Sequence, residues 1–182
     1  MTISAEDRSC LVGLARRTVE AQASGQPAPT PERTDGVLGE TRGCFVTLTN
    51  EGRLRGCIGT FNPTKPLAEM IVEMGMAAAR DPRFVTNPIT SDEVPQLDVQ
   101  VSVLSPLAET KEPEKLQVGT HGIYVTNGFR SGCFLPEVAT DQGWNAAQFL
   151  SYCCAHKAGL APDAWRMLDT KVFLFTSEKF SE

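Results

Sequence analysis

Residues 44–61 have the sequence Cys44-Phe-Val-Thr-Leu-Thr-Asn-Glu-Gly-Arg-Leu-Arg-Gly-Cys-Ile-Gly-Thr-Phe61. Cys44, Val46 and Leu48 alternate with polar or aromatic neighbours, turn-forming residues follow at positions 50–53, and a second apolar run begins at Leu54. Alternation with a period of two is typical of a strand with one buried face, and Asn and Gly favour a tight turn. This stretch therefore predicts a β-hairpin.

The segments on either side of this hairpin predict helices and further strands. The capping pattern Ser4-Ala-Glu-Asp7 begins a helix that ends before Gly25, and Pro66 begins a second helix that ends near Asp81-Pro82. The later patterns predict a strand over residues 97–103, a hairpin from residues 123–125 and 132–135, a helix from Asn145 that stops at Gly159, and a closing strand over residues 171–176. Because strands do not alternate regularly with helices, the predicted class is α+β, with a mostly antiparallel sheet and flanking helices.

Length and composition predict a single domain over residues 1–182, divisible into two lobes, that folds without disulfides or a structural metal. With 17 Lys and Arg against 22 Asp and Glu, the formal charge is −5 and no basic cluster is present, which argues against nucleic-acid binding. The N-terminus has no basic segment followed by an apolar run, and no apolar stretch approaches membrane-spanning length, so neither a signal peptide nor a membrane segment is predicted. The six scattered cysteines indicate free thiols in a reducing cytoplasm.

The two predicted hairpins resemble each other. Val46-Thr47 leads through a turn to Arg55-Gly-Cys57, and Val125-Thr126 leads through a turn to Arg130-Ser-Gly-Cys133. This similarity indicates two equivalent hairpins, with chance as the alternative explanation.

The hexapeptide Leu54-Arg-Gly-Cys-Ile-Gly59 is the strongest candidate for a functional site. Two glycines flank Cys57, so backbone N–H groups there can approach a ligand closely, and Arg55 lies two residues upstream. A guanidinium beside a thiol favours the reactive thiolate, and exposed backbone amides are suited to an oxyanion. The alternative is structural: Cys57 is a small buried residue at a strand end, and the glycines serve the turn geometry.

His121 and His156 are the only histidines, so a cysteine–histidine pair would have to use one of them. His121 lies in the glycine-bounded turn Gly119-Thr-His-Gly122, where it is either a base for Cys57 or a hydrogen-bonded turn residue. His156 follows Cys153-Cys154, but no Cys-x-x-Cys motif supports a zinc site and no glycine-rich phosphate loop supports a nucleotide. We therefore predict no metal and no cofactor.

A carboxylate and a large aromatic residue lie near a proline bend in Leu135-Pro-Glu-Val138 and Asp141-Gln-Gly-Trp144. This segment predicts either a pocket wall with Glu137 as a general base or a loop held in place by Trp144. The loop is the interpretation favoured by the sequence.

Taken together, these motifs resemble the AMMECR family. The family's hexapeptide signature matches Leu54-Arg-Gly-Cys-Ile-Gly59 without departure, and the resemblance extends over about residues 5–176. The other matching segments follow in the family's order: Gly43-Cys-Phe-Val-Thr47, Asp81-Pro-Arg-Phe84, Val118-Gly-Thr-His-Gly122, Leu135-Pro-Glu-Val138, Gly143-Trp144, and Lys157-Ala-Gly-Leu160 with Trp165.

The resemblance implies an α+β protein with a larger and a smaller lobe around a groove. Prokaryotic relatives are often encoded beside a Memo-type protein and a radical S-adenosylmethionine (radical-SAM) protein, as AmmeMemoRadiSam system protein A, so both are expected partners. Many relatives have glutamine at the position of Glu137, which weakens a general-base role. Residues 151–156 form a segment one residue longer than the family's common pattern, which weakens any role for Cys153, Cys154 or His156.

Two classes of function follow from these residues. In a binding or accessory module, the edge formed by Leu54, Arg55, Gly56, Ile58 and Gly59, together with Glu137, recognises a partner protein or a small-molecule ligand, and Cys57 only packs. In a cysteine-dependent enzyme, Cys57 is the nucleophile or redox thiol, Arg55 its anion partner and His121 the base. Because the sequence supplies no complete catalytic constellation, we favour the binding module.

Overall fold

The computed structural model describes residues 2–182 and divides them into two compact units. Unit 1 comprises residues 2–104 with 178–182, and unit 2 comprises residues 105–177. Within the described residues the chain forms four α-helices and two four-stranded sheets. The predicted α+β class with mostly antiparallel pairing is therefore confirmed.

Unit 1 is built from α1 (Ala5–Ala23), β1 (Cys44–Asn50), β2 (Arg53–Thr60), α2 (Leu67–Ala79), β3 (Leu97–Leu104) and β8 (Ser177–Ser181). The predicted cap is present, because Ser4 Oγ accepts the backbone N–H of Asp7 at 3.1 Å. The strands have the order β2-β1-β3-β8, and β1 pairs antiparallel with both β2 and β3. Inward-facing residues such as Val46, Leu48 and Val101 pack with the apolar stripes of α1 and α2 into one core.

Unit 2 contains β4 (Ala108–Thr110), β5 (Gly122–Thr126), β6 (Ser131–Phe134), α3 (Pro136–Gln142), α4 (Ala146–Tyr152) and β7 (Lys171–Phe175). Its strand order is β4-β7-β5-β6, with all three adjacent pairs antiparallel. Asn145 and Gln148 form the predicted capping box at the start of α4. The core gathers Ile123, Val125 and Phe149 with neighbouring apolar residues.

The helix that starts at Ala146 does not keep α-helical winding to its end. Residues Cys153–Ala158 form a π-helical turn, which stops at Gly159 in the left-handed conformation (φ 64°). A π turn encloses one more residue per hydrogen-bonded ring than an α turn. Gly159 stops the helix as predicted.

The two units repeat one order of elements. In unit 1 the hairpin β1–β2 is followed by α2 and then by β3, which pairs with β1. In unit 2 the hairpin β5–β6 is followed by α3 and α4 and then by β7, which pairs with β5. Gly56 on β2 lies against a helix end, and Gly132 on β6 lies against the π turn in the same way. The resemblance between the two hairpins thus extends to their topology and to the glycine before each cysteine.

Three elements differ from the sequence-based expectation. The short strand β4 and the terminal strand β8 were not predicted. The interpretation of the Glu137 segment as a loop is wrong, because residues Pro136–Gln142 form the helix α3. Proline at its first position and Gly143 in the left-handed conformation (φ 67°) delimit this helix. Within residues 2–182, no helix is both long and apolar enough to cross a membrane.

Candidate functional site

The hexapeptide signature lies on β2, the edge strand of the unit 1 sheet. The pairing of β2 with β1 is regular from Thr60 to Gly56 and then shifts, so Arg55 is an extra residue in a β-bulge. A bulge changes the direction of a side chain at a sheet edge. The signature therefore combines a regular edge around Cys57 with a redirected arginine.

Glycine at position 56 permits α2 to approach the strand. A Cβ added there would lie 2.1 Å from the carbonyl oxygen of Ala78, a contact that backbone atoms can avoid only by moving. Gly59 has a related role, since a Cβ there would lie 2.2 Å from the Phe45 ring. Both signature glycines are thus required by close packing within unit 1.

Asp81 and Arg83 occupy the free edge of β2 at Cys57. Asp81 Oδ2 accepts the Cys57 N–H at 3.0 Å, and Arg83 Nη2 donates to the Cys57 carbonyl oxygen at 3.2 Å. Arg83 also donates its Nε–H to Asp81 Oδ1 at 3.0 Å. A carboxylate and a guanidinium thus replace the neighbouring strand that an edge residue lacks. We call these two residues the Asp81–Arg83 clip.

The carboxylate of the clip is almost fully buried, with 1% of its side chain exposed. Hydrogen bonds from the Arg83 guanidinium, together with the N–H groups of Cys57 and Arg83, hold the pKa of Asp81 well below its usual range although burial acts in the opposite direction. Asp81 is therefore an ionised structural carboxylate at neutral pH.

The Cys57 thiol lies on the side-chain face that it shares with Thr47. Cys57 is half-buried, and its Sγ is hydrogen bonded to Thr47 Oγ1 at 3.2 Å. Thr47 is the residue directly opposite on β1, and side chains approach closely in the pairs whose backbone groups point away from the partner strand. The backbone of Cys57 is therefore held by the clip and its thiol by the neighbouring strand.

Arg55 is directed away from the thiol's partners by a bidentate ion pair. Its Nη2 donates to Glu93 Oε2 at 2.8 Å and to the Asn87 carbonyl oxygen at 3.1 Å, and its Nε donates to Glu93 Oε1. Only 10% of the Arg55 side chain and 17% of the Glu93 side chain are exposed. The hydrogen bonds from Arg55 lower the pKa of Glu93, so both groups are charged at neutral pH.

A small pocket lies beside these residues at the end of α2. Its volume is about 230 Å³. Its lining residues are Arg55, Ala79, Arg80, Asp81, Phe84, Val85, Pro88 and Ile89. Val85 is 77% exposed, an unusual position for a branched apolar side chain, whereas Ile89 is buried. The pocket thus combines apolar walls with the arginine of the signature and the carboxylate of the clip.

The other predicted site residues lie in unit 2. His121 is half-buried in its turn, where Nδ1 accepts the Gln117 N–H at 3.0 Å. Glu137 is in the first turn of α3, and His156 is exposed and stacks on Tyr152 with the ring centroids 5.5 Å apart. Leu54, Arg55, Gly56, Cys57, Ile58 and Gly59 are together on β2 in unit 1. Among residues 2–182, no cluster of three or more His, Cys, Asp or Glu side chains has metal-binding geometry.

Sequence reasoning missed Glu93 and the function of Asp81 and Arg83 in the clip. In the sequence, Asp81-Pro-Arg-Phe84 stands out only as a segment that matches the family, although Asp followed by Pro is a common start of a helical turn, and here Asp81 is the N-cap of the 3-10 turn Pro82–Phe84. Glu93 stands 38 residues after Arg55, and no local pattern connects the two.

The comparison with known proteins agrees with this architecture. The family model AMMECR1 matches residues 12–180. The chain belongs to the AMMECR1 family. A Methanothermobacter thermautotrophicus protein is 38% identical over 99% of this chain and 96% of its own length. A Thermococcus gammatolerans protein is 41% identical over 94% of this chain and 88% of its own length.

A solved structure of a similar protein shows the same fold. The crystal structure of the uncharacterized protein PH0010 from Pyrococcus horikoshii matches with a TM-score of 0.86 and 40% identity. The match covers 99% of this chain and 93% of that one. The names of these relatives state no activity, so the function of this AMMECR1 domain has to be argued from its own residues.

Proposed function

We propose that this AMMECR1 domain is a binding or accessory module that acts with Memo-type and radical-SAM partner proteins, and that the pocket beside the signature is its recognition site. The observation that carries the proposal is the pocket itself. It sets apolar walls, one of them the exposed Val85, next to the buried Arg55 of the signature. An exposed apolar side chain beside a concave site favours contact with a partner.

The hydrogen bonding of the signature supports binding over catalysis. The Cys57 N–H donates to Asp81 and the Cys57 carbonyl accepts from Arg83, so this amide is already engaged and does not stand ready for an oxyanion. The Arg55 guanidinium is paired with Glu93. The signature residues thus build and support a surface, which is the task of a binding module.

A binding measurement with one exposed substitution tests this proposal. The Memo-type and radical-SAM proteins encoded beside an AMMECR1 gene are purified, immobilised and titrated with the full chain by biolayer interferometry. Val85→Asp adds a charge at the pocket without disturbing the core, because Val85 is 77% exposed. We expect it to weaken binding at least tenfold, on the order of the loss for one interface hot spot.

The matched control is Phe129→Asp, at an apolar residue of unit 2 that is 97% exposed and lies in the turn between β5 and β6. This variant is expected to bind like the unmodified protein. If neither partner binds, or if the two variants behave alike, the pocket is not the recognition site and the proposal fails.

The half-buried Cys57 thiol, with a hydroxyl 3.2 Å away, is the observation that favours a cysteine-dependent enzyme as the second candidate. Site-resolved alkylation of the native protein across pH, in the unmodified chain and in His121→Ala, tests it. Rapid alkylation of Cys57 at neutral pH that slows without His121 would establish a paired reactive thiol and favour the enzyme. Slow alkylation that is indifferent to His121 would exclude this pairing.

A further inference from the structure

We propose that the pocket beside the signature binds a carboxylate carried on a small apolar group. The inference rests on the proposed function, because it specifies the chemistry of the ligand that the same pocket recognises. It is argued from the hydrogen-bond donors that Arg55 and Arg80 leave unused, from the walls between them, and from the charges already neutralised nearby.

Arg55 contributes one nitrogen, Nη1, that has no acceptor among residues 2–182. A guanidinium has five N–H groups. Nε and Nη2 of Arg55 donate to Glu93 and to the Asn87 carbonyl, whereas Nη1 donates to no atom of residues 2–182. Among the described residues, only Arg8 Nε and Ser177 Oγ are buried side-chain atoms without a hydrogen-bond partner, so Nη1 of Arg55 keeps accessible surface. Arg55 lines the pocket and only 10% of its side chain is exposed, so we assign the accessible Nη1 edge of the guanidinium to the pocket.

Arg80 adds a second cation to the same pocket. It follows the last residue of α2, is exposed, and lines the pocket. Its side chain has no hydrogen-bond acceptor and no carboxylate partner within residues 2–182. Nearby Arg83, in contrast, is held by Asp81, and Lys65 at the other end of α2 is paired with Glu73. Arg80 is therefore available to an incoming anion.

The acidic groups at the pocket are already neutralised. Asp81 is paired with Arg83 and Glu93 with Arg55, and both carboxylates are at least four-fifths buried. Among the described residues that line the pocket, Arg80 is the cation that remains without a carboxylate partner. A ligand carboxylate supplies the matching negative charge and also accepts from Nη1 of Arg55, an interaction that is stronger than a hydrogen bond between neutral groups.

The walls restrict the rest of the ligand. Ala79, Phe84, Val85, Pro88 and Ile89 provide an apolar surface around a volume of about 230 Å³. This space suits a branched aliphatic group or a single aromatic ring. The same chemistry is found in a free short-chain acid and in the C-terminal residue of a partner chain that ends in an apolar side chain.

Titrations of the full chain with matched acids and amides test the inference. The probes are isovalerate, hydrocinnamate, their neutral amides, and a tripeptide ending in leucine with a free or an amidated C-terminus. Methyl resonances of Val85 and Ile89 report occupancy by NMR. We expect the acids to bind saturably at millimolar concentration and the amides to bind about tenfold more weakly. Tighter binding of the free tripeptide than of isovalerate would identify a protein C-terminus as the source, and the reverse would identify a free acid.

Arg80→Gln tests whether the pocket's second cation binds the carboxylate. Arg80 is used because replacing Arg55 would leave Glu93 buried without its partner. We expect Arg80→Gln to weaken the acids about threefold to tenfold and to leave the amides unchanged. The control Arg53→Gln removes an equal charge from an exposed residue of β2 that does not line the pocket. It is expected to change the affinity of neither the acids nor the amides.

Three results would overturn the inference. The acids and amides could bind equally well, Arg80→Gln and Arg53→Gln could have equal effects, or no acid could produce a saturable shift. If acids fail to bind while Val85→Asp still abolishes partner binding, only the carboxylate inference is lost. If acids bind through Arg80 while Val85→Asp leaves partner binding intact, the pocket is a small-acid site and the proposed partner function is the one that fails.

Discussion

Replacing Asp81 by asparagine tests whether the clip stabilises the edge of β2. The substitution keeps the size of the side chain but removes its charge and one of its two acceptor oxygens. Asp81 accepts from the backbone N–H groups of Cys57 and Arg83, each at 3.0 Å, and from Nε and Nη2 of the Arg83 guanidinium at 2.5–3.2 Å. Hydrogen bonds to a charged group contribute about 1.5–3 kcal/mol each. Because Arg83 is 55% exposed and partly solvated in the variant, we expect a total loss of only about 2–3 kcal/mol at pH 7.

The pH dependence of this loss follows from the depressed pKa of Asp81. A carboxyl whose pKa is lower in the folded state stabilises the fold above its unfolded pKa, and this stabilisation is lost as the pH falls toward the folded pKa. With an unfolded pKa of about 3.9, the difference between the unmodified chain and Asp81→Asn should be constant from pH 7 to pH 5 and smaller by about 1.3 kcal/mol at pH 3.

Urea unfolding followed by circular dichroism at pH 7, 5 and 3 measures these differences. Asp98→Asn is the charge-matched control, because Asp98 is an exposed residue of β3 in the same unit. It is expected to change stability by less than about 0.5 kcal/mol. A loss below that value for Asp81→Asn at pH 7, or a loss that grows toward pH 3, would refute the assignment of Asp81 as an ionised clip.

Three further predictions concern the same unit. Gly56→Ala, whose Cβ would meet the Ala78 carbonyl oxygen at 2.1 Å, should cost about 3 kcal/mol in the free energy of unfolding, whereas Gly13→Ala in the open middle of α1 should add about 0.5–1 kcal/mol. Glu93→Gln should cost about 3 kcal/mol by leaving the Arg55 guanidinium buried without its counter-charge, and a loss under 1 kcal/mol would contradict the buried pair. Burial raises the pKa of the Cys44 thiol to about 12, so iodoacetamide should modify half-buried Cys57 in the native protein and Cys44 only on unfolding, as mass spectrometry can show.

The elements that could be predicted from the sequence are those with a strong local pattern. The predicted features with the strongest local signals are the strand alternation of residues 44–49 and 97–103, the Ser4 and Asn145 caps, the end of α2 at Ala79 near Asp81-Pro82, and the stop at Gly159. Each of these depends on residues within one turn or one strand. These local rules hold here because tertiary packing favours the same conformation.

The elements that could not be predicted depend on contacts between residues that are far apart in the sequence. β8 has no clear alternation and forms because β3 offers an unpaired edge, and Glu178 at its start accepts from the N–H of Ile3 and from Arg8. Predicting the π turn would require knowing how many residues fit between the cap at Asn145 and the stop at Gly159. In the site, the hexapeptide was recognisable, but the pairing of Arg55 with Glu93 comes only from the folded chain.

The signature shows why a motif that contains a cysteine between glycines does not by itself indicate catalysis. Three of its six residues have a structural requirement within unit 1: Gly56 for the approach of α2, Gly59 for the Phe45 ring, and Arg55 for the buried pair with Glu93. A catalytic site, by contrast, keeps donors and acceptors unsatisfied until the substrate arrives. The Cys57 amide does not meet this condition because it already donates to Asp81, whereas Nη1 of Arg55 has no acceptor among residues 2–182 and is open to a ligand. The search for the ligand of this AMMECR1 domain should therefore begin with acceptors for a guanidinium, and the thiol should be examined second.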